Sequence, residues 1–344
     1  MTDGQYFRVT MVDVATEAGV SSGTVSRVIN QDIHVRPETR ERVLEVMQRL
    51  GYVANRQARS LAGGKTNIIG VLVPDLGTGY IGEIIRGIDM ELGFTGLDLI
   101  LYTTHRTASK ESNYVANLAE GMVDGLLLVL PRSPADYVET LTRRRFPFVL
   151  IDHQGTGKEC PAVGATNWQG AYNATEYLIR LGHTRIGFIA GSMDLGCAQD
   201  RLAGYRSALQ THHIPEVPEL QYAGEFFQPD GYAGAEAFFE LAEPPTAIFA
   251  SNDVMAMGVM DAVRNRGLRV PDDVSVVGFD NVPQSAVVFP PMTTVQQPLE
   301  QMGRVATQML LGILSKPEKH VGRIELPTEL VVRSSTSSPR GRTA

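Results

Sequence analysis

The chain has 344 residues, a formal charge of −7 from 31 Lys+Arg against 38 Asp+Glu, and 43% hydrophobic residues. That balance excludes disordered, collagen-like and disulfide-scaffold chains, and the length implies two or three domains rather than one core. No apolar run nears the ~20 residues that cross a bilayer. Met1–Arg8 lacks a basic stretch leading into an apolar one, so a cytoplasmic protein without membrane contact is expected. Cys160 and Cys197 alone make neither a disulfide framework nor a zinc site, and no metal or cofactor is expected.

Up to about residue 62 the pattern is helical, over Met11–Ala18, Ser22–Ile29 and Pro37–Leu50. Gly19 suits a turn between the first two helices, Pro37 a first helical turn, and Gly51 a helix stop. Val14, Ala15 and Ala18 form a small apolar face that Val20, Val25 and Val28 can cover. Ser21 or Ser22 can cap the second helix, leaving its backbone N–H groups to a phosphate. The exposed start of that helix would present Ser22, Gly23, Ser26 and Arg27 to a major groove, with Arg27 forking onto guanine. The plain alternative is a small helical subdomain with a solvated arginine. Residues 1–62 carry a net +1 against −8 for the remainder, so the placement of the arginines matters more than bulk charge.

Ala62-Gly63-Gly64-Lys65 reads as a permissive linker. Beyond it short apolar runs alternate with helical ones. The strand candidates are Ile68–Val73, Leu97–Tyr102, Gly125–Leu130, Phe146–Asp152, Arg185–Ile189, Ala247–Ala250 and Ser275–Phe279. Helices are expected over Gly82–Leu92, Glu111–Ala119, Ala135–Arg144, Ala171–Leu181, Leu202–Gln210, Tyr232–Leu241 and Val254–Arg266. Alternation with near-continuous Val/Ile/Leu strands predicts an α/β fold of two doubly wound parallel-sheet lobes, divided near Cys160–Asn167. Ser334–Ala344 reads as a disordered tail.

Ligands of open α/β sheets sit outside the carboxyl ends of the strands. Asp75, Asp152, Arg201, Asn252, Asp253 and Asp280 follow strand candidates there, and Tyr80, Trp168 and Phe226 offer flat apolar faces. Carboxylates, an amide and a guanidinium suit a polyhydroxylated ring. An Asp after a strand can instead cap the next helix, which fits Asp253 before Val254.

Residues 9–62 resemble the DNA-binding head of the lactose-repressor (LacI/GalR) family of bacterial transcription regulators. The strings are Asp13-Val14-Ala15, Ala18-Gly19-Val20-Ser21, Thr24-Val25-Ser26-Arg27-Val28, Pro37 through Val43, Leu50-Gly51-Tyr52 and Ala58-Arg59-Ser60-Leu61-Ala62. The resemblance implies operator reading by the second helix from Ser22 and Gly23, both too small for much side-chain readout. It also implies DNA contacts from Thr10, Ser21, Thr24, Ser26, Arg27, Asn30 and His34; a lone loop histidine such as His34 is otherwise only solvated. Asn55–Leu61 resembles the family's hinge helix, with Asn55, Ala58 and Leu61 on one face, Arg59 toward phosphates, and Leu61 wedged into the minor groove.

The resemblance continues to about Arg333 through Leu181-Gly182-His183, Arg201 through Tyr205, Ala250 through Asp253, Val276 through Asp280 and Thr293-Thr294-Val295. It implies a core like periplasmic sugar-binding proteins, with effector positions at Asp152, Arg201, Phe226, Asn252, Asp280 and Gln297. The loop Asp75–Ile81 departs from the family's Asn-Pro-Phe-Phe, so the effector is not carried over. The expected organisation is a head over 1–53, hinge and linker over 54–66, a two-lobe core over 67–333 and a tail over 334–344.

The function expected is a homodimeric, non-enzymatic repressor whose affinity for operator DNA is set by a small carbohydrate-like effector. A regulator of a non-sugar metabolite and a sugar-binding receptor without a DNA role are the alternatives; the receptor has no use for residues 9–62. No phosphate-cradling glycine motif or nucleophile elbow supports an enzyme.

Overall fold

The structure is a computed structural model and describes residues 9–29, 32–52, 65–153, 160–316 and 322–340. It divides into two compact units, Met1–Thr66 and Asn67–Ala344.

The first unit holds α1 (Met11–Ala18), α2 (Ser22–Ile29) and α3 (Pro37–Leu50). Val14, Ala15, Ala18, Val25, Val28, Val43 and Val46 close a core among them. Small residues suit it, because helices this short must approach closely to exclude water. Gly19 and Gly51 leave α1 and α3 in the left-handed conformation, at φ of 64° and 63°.

In the second unit the elements follow as β1 (Ile68–Val73), α4 (Gly79–Leu92), β2 (Asp98–Thr103), α5 (Ala108–Ala119), β3 (Gly125–Val129), α6 (Ala135–Arg143), β4 (Phe148–Ile151) and β5 (Ala162–Ala165). They continue with α7 (Asn167–Arg180), β6 (Ile186–Ala190), α8 (Gly196–Thr211), β7 (Gln221–Ala223), α9 (Gln228–Phe239), β8 (Ala247–Ala250), α10 (Asp253–Asn265), β9 (Ser275–Asp280), α11 (Pro283–Val287) and β10 (Thr293–Gln296). The last are α12 (Leu299–Ser315), β11 (Arg323–Leu326) and β12 (Glu329–Val331).

Two six-stranded sheets result, in the orders β11-β5-β4-β3-β1-β2 and β12-β10-β9-β8-β6-β7. Every neighbouring pair is parallel except β10 with β12. The first sheet, with α4, α5, α6 and α12, is the N-lobe; the second, with α7 to α11, is the C-lobe. Central strands are buried along their length because helices cover both faces, as in β3 and β9.

The chain passes between lobes three times: at Thr166 after β5, at Gln297 after β10, and at Thr328 between β11 and β12. The first and third crossings are tied together. Thr166 and Thr328 hydroxyls lie 2.8 Å apart, and the Thr328 amide donates to Thr166 Oγ1 at 2.8 Å. α12 returns to the N-lobe against α4, where an added Cβ on Gly303 would stand 2.2 Å from the Ile84 carbonyl oxygen. Among the described residues no helix is long and apolar enough to cross a membrane, and no group of His, Cys, Asp and Glu is arranged to hold a metal. Cys160 and Cys197 are both free and buried.

The expected disordered tail is corrected over Ser334–Arg340. Ser335 is fully buried, its Oγ accepting from the Thr293 amide and donating to the Val276 carbonyl at 2.6 Å. Ser337 exchanges hydrogen bonds with Ser275, and its carbonyl lies 2.9 Å from His183 Nε2. Short hydroxyl side chains here satisfy backbone groups of the C-lobe, so a polar composition that suggests solvation instead serves as a strap.

Candidate functional site

In the first unit, Thr10 caps α1. Its Oγ1 accepts from the Asp13 amide at 3.3 Å, while Asp13 Oδ2 accepts from the Thr10 amide at 2.8 Å. The Thr10 amide, and then the Thr10 hydroxyl, donating to the carboxylate hold Asp13 below the usual carboxylate range. Of the two candidate caps for α2, Ser21 takes the role, accepting from the Thr24 amide at 3.2 Å. Ser22, Gly23 and Arg27 are exposed, with Thr24 and Ser26 partly so. Arg27 Nε lies 3.4 Å from the Gly23 carbonyl oxygen, so the guanidinium runs along the open helix face. His34 is exposed on the α2–α3 loop. Asn30, Asn55, Ala58, Arg59 and Leu61 lie outside the described residues.

In the second unit a partly open cleft lies between the lobes. The loops after β1 and β3 reach it from the N-lobe, and those after β6 and β8 from the C-lobe. These are the positions in each sheet where strand order reverses, so both topological switch points face one cavity. Asp75, Tyr80, Asp152, Arg201, Phe226, Asn252 and Asp280 all line it.

Asp152 and Arg201 organise the floor. The Tyr80 hydroxyl donates to Asp152 Oδ2 at 2.7 Å, and Asn167 Nδ2 reaches Asp152 Oδ1 at 3.4 Å. Arg201, on α8, donates from Nε to Asn167 Oδ1 at 2.8 Å and from Nη1 to the Ser251 carbonyl at 2.6 Å. Its Nη1 is also 3.5 Å from Asp280 Oδ1, and its guanidinium stands 3.9 Å above the Phe279 ring. Burial, and then the neighbouring Asp152, push the Tyr80 hydroxyl well above its ordinary pKa. Burial likewise pushes Asp280 up to about 7, against the opposing pull of Arg201 and Gln297.

The backbone at the cleft is unusual. Arg106, Leu130, Asp152, Phe226 and Asp280 all line the cavity with positive φ, at 58°, 48°, 53°, 68° and 114°. Each such non-glycine residue costs on the order of 1–3 kcal/mol, and strain of this kind concentrates where a site needs a particular side-chain direction.

Three expectations need correction. Trp168 is 39% exposed and stacks on Tyr172 at 5.3 Å, away from the cleft. The preceding residue, Asn167, is the one facing inward, since successive helical side chains point about 100° apart. Gln297 lies one layer behind the lining, donating from Nε2 to Asp280 at 2.8 Å. The cap of α10 is Asn252, whose Oδ1 accepts from the Met255 amide at 2.8 Å. Asp253 is instead fully buried, accepting from the Val282 amide at 2.8 Å and from the Thr294 hydroxyl. Burial and the Asp280 charge raise its pKa far above the carboxylate range.

The sequence reading missed Arg106, Arg132, Asn167 and Cys197. Asn167 sits at a lobe crossing whose strand, β5, was not among the candidates, and the arginines lie in loops among several other arginines.

These two parts, a helix-turn-helix head and a two-lobe core with an interlobe cleft, define the class of ligand-responsive DNA-binding regulators. Residues 10–55 match the family of bacterial regulatory proteins, lacI family, and residues 175–336 match the periplasmic binding protein-like domain. Catabolite control protein A of Priestia megaterium is 35% identical over 330 residues, covering 95% of this chain and 99% of that protein. The lac repressor dimer bound to operator and the anti-inducer ONPF superposes with a TM-score of 0.81 at 32% identity, over 96% of this chain and 99% of that one. A complex of the transcriptional regulator CelR with cellobiose gives 0.73 at 33% identity, over 95% and 100%. The chain belongs to the lacI family of bacterial regulatory proteins and is a DNA-binding transcriptional regulator with an effector-binding core.

Proposed function

We propose that this regulator acts as a homodimeric, cytoplasmic repressor without catalytic activity, and that a small hydroxyl-rich molecule bound in the interlobe cleft sets its operator affinity. The observation that carries the effector assignment is convergence. Seven side chains from six strand ends and the segments that follow them, in both lobes, meet in one cavity, where Asp152 offers acceptors, Arg201 and Asn252 donors, and Tyr80 and Phe226 flat faces. A hydroxylated ring uses all three kinds of contact; an apolar molecule would strand the buried polar groups. In the head, exposed Ser22 and Gly23 at the start of α2 and Arg27 in its last turn support base reading, with Arg27 as the reader of longest reach.

Asp152 and Arg201 belong to different lobes, so a ligand touching both favours one lobe arrangement over another. That differential affinity is what can bias operator binding, and by reciprocity operator DNA must change effector affinity by the same factor. The test is a thermal-shift screen of mono- and disaccharides, repeated on the DNA-bound protein. A hit whose shift disappears in Asp152→Asn and whose affinity changes with operator supports the reading. A hit unaffected by Asp152→Asn moves the pocket elsewhere.

A further inference from the structure

We propose that Arg106 and Arg132 form a two-part latch across the mouth of the cleft, holding the lobes together until an entering ligand displaces it. Both arginines come from the N-lobe, in the loops after β2 and β3, and both line the cavity. Arg106 is anchored at home by Asp75, which accepts from its Nε at 2.7 Å. It then reaches across: Nη1 donates to the Glu225 carbonyl of the C-lobe at 3.0 Å, and the guanidinium stacks 4.1 Å above the Phe227 ring. Arg132 pairs with Asp194 of the C-lobe and donates to Ser192 Oγ at 3.3 Å. Ser192 Oγ is within hydrogen-bonding reach of both Asp194 and the Glu225 carboxylate, so the two receiving points form one acidic ledge.

The arginines are presented rather than loosely placed. The buried Glu111 carboxylate accepts from the Arg132 amide at 3.0 Å and the Tyr137 hydroxyl at 2.7 Å, fixing the loop that carries Arg132. Arg106 leaves its loop at positive φ, which aims it toward the opposite lobe. Their side chains are 19% and 16% exposed, so solvent and salt screen these contacts incompletely. The chain joins the lobes at Thr166, Gln297 and Thr328, and the arginine contacts add side-chain links between the lobes to these crossings. Contacts that exist in only one lobe arrangement shift the population toward it, and the latch contacts are of that kind.

The latch rests on the reading of the cleft as the ligand site only for what displaces it. It is testable on the full chain alone. Spin labels on Glu139→Cys of α6 and Ala203→Cys of α8, both exposed, report the interlobe distance, and the two native cysteines are buried. Labelled chain is diluted with excess unlabelled chain so that each pair is read within one protomer. The expected result is that Arg106→Gln with Arg132→Gln lengthens the mean distance by more than about 2 Å, the scale that separates domain movement from side-chain adjustment. An unchanged distance overturns the latch and leaves the cleft assignment standing. Should the double variant not fold, Arg132→Asp is compared with Arg132→Asp/Asp194→Arg. Return of the parent distance on restoring opposite charges supports the latch, and equal distances in the two overturn it.

Discussion

Arg201 and Asp280 face each other at 3.5 Å in a position where neither side chain is more than 5% exposed. Arg201 comes from the helix after β6 and Asp280 from the end of β9, so the pair joins separate loops of the C-lobe beneath the cleft. Asp152 of the N-lobe meets the same cation through Asn167. One guanidinium therefore serves both halves of the site.

Removing that cation strands buried carboxylates, and breaking such a pair typically costs about 3–5 kcal/mol. Arg201→Met is expected to lose stability on that scale in urea denaturation at pH 8. Adding Asp280→Asn should restore part of it, because the second change removes a charge the first left uncompensated.

The pH dependence has a definite sign. Folding raises the Asp280 carboxyl to about 7, from about 3.9 in an unfolded chain. The contribution to stability is fully present below pH ~4 and is lost as pH rises through ~7, because the unfolded chain gives up its proton first. Asp253, also raised by burial, works in the same direction. Comparing denaturation midpoints of the parent and Asp280→Asn from pH 4 to 8 isolates the effect. The parent should lose ground to the variant across that window, and parallel curves would contradict the assignment.

Packing of α4 on α12 depends on missing side chains. A Cβ on Gly303 would press into backbone at 2.2 Å, whereas one on Gly312 of the same helix meets nothing within 4 Å. Gly303→Ala should destabilise by roughly 1–3 kcal/mol or more through overpacking. Gly312→Ala should be neutral or stabilising by up to about 1 kcal/mol from helix propensity. Thermal unfolding of the two variants provides the check.

For the head, Arg27→Ala should weaken binding to a duplex selected by the parent from random sequence by about 1–3 kcal/mol, with relaxed preference at one base pair. Fluorescence anisotropy measures this. Because Arg27 is exposed, its loss should leave head stability close to the parent's. Thr10→Ala differs: it removes the α1 cap and should cost about 1 kcal/mol of stability whatever it does to DNA.

Much of this was legible in the residues, for a physical reason. The strands β1, β3, β8 and β9 announce themselves because burial on both faces demands continuous apolar runs, and the cleft carboxylates follow because the chain turns at strand ends. Short or peripheral strands gave no such signal. Ala162-Val163-Gly164-Ala165 and Arg323-Ile324-Glu325-Leu326 are too brief or too polar to stand out, and with them went the lobe crossings. Trp168 and Asn167 differ by one position, a distinction that only the helix start fixes, and the expected helix began at Ala171 rather than Asn167. Ser335 looked solvated because its partners, Thr293 and Val276, are remote in sequence.

The three crossings also set an order of assembly. The N-lobe sheet begins with Ile68 but receives its edge strand only when Arg323–Leu326 is made, and its covering helix only with Leu299–Ser315. On the ribosome, the lobe started first therefore closes only after most of the other has been made, and the other still waits for Glu329–Val331 and the Ser335 strap. Until α12 arrives, Leu127, Val129, Val149, Ile151 and Val163 lack the cover of Met302, Ala306 and Leu310. Nascent chains stalled before residue 299 should be the species most prone to aggregation and most dependent on chaperones, and no single cut in the gene can release either lobe whole.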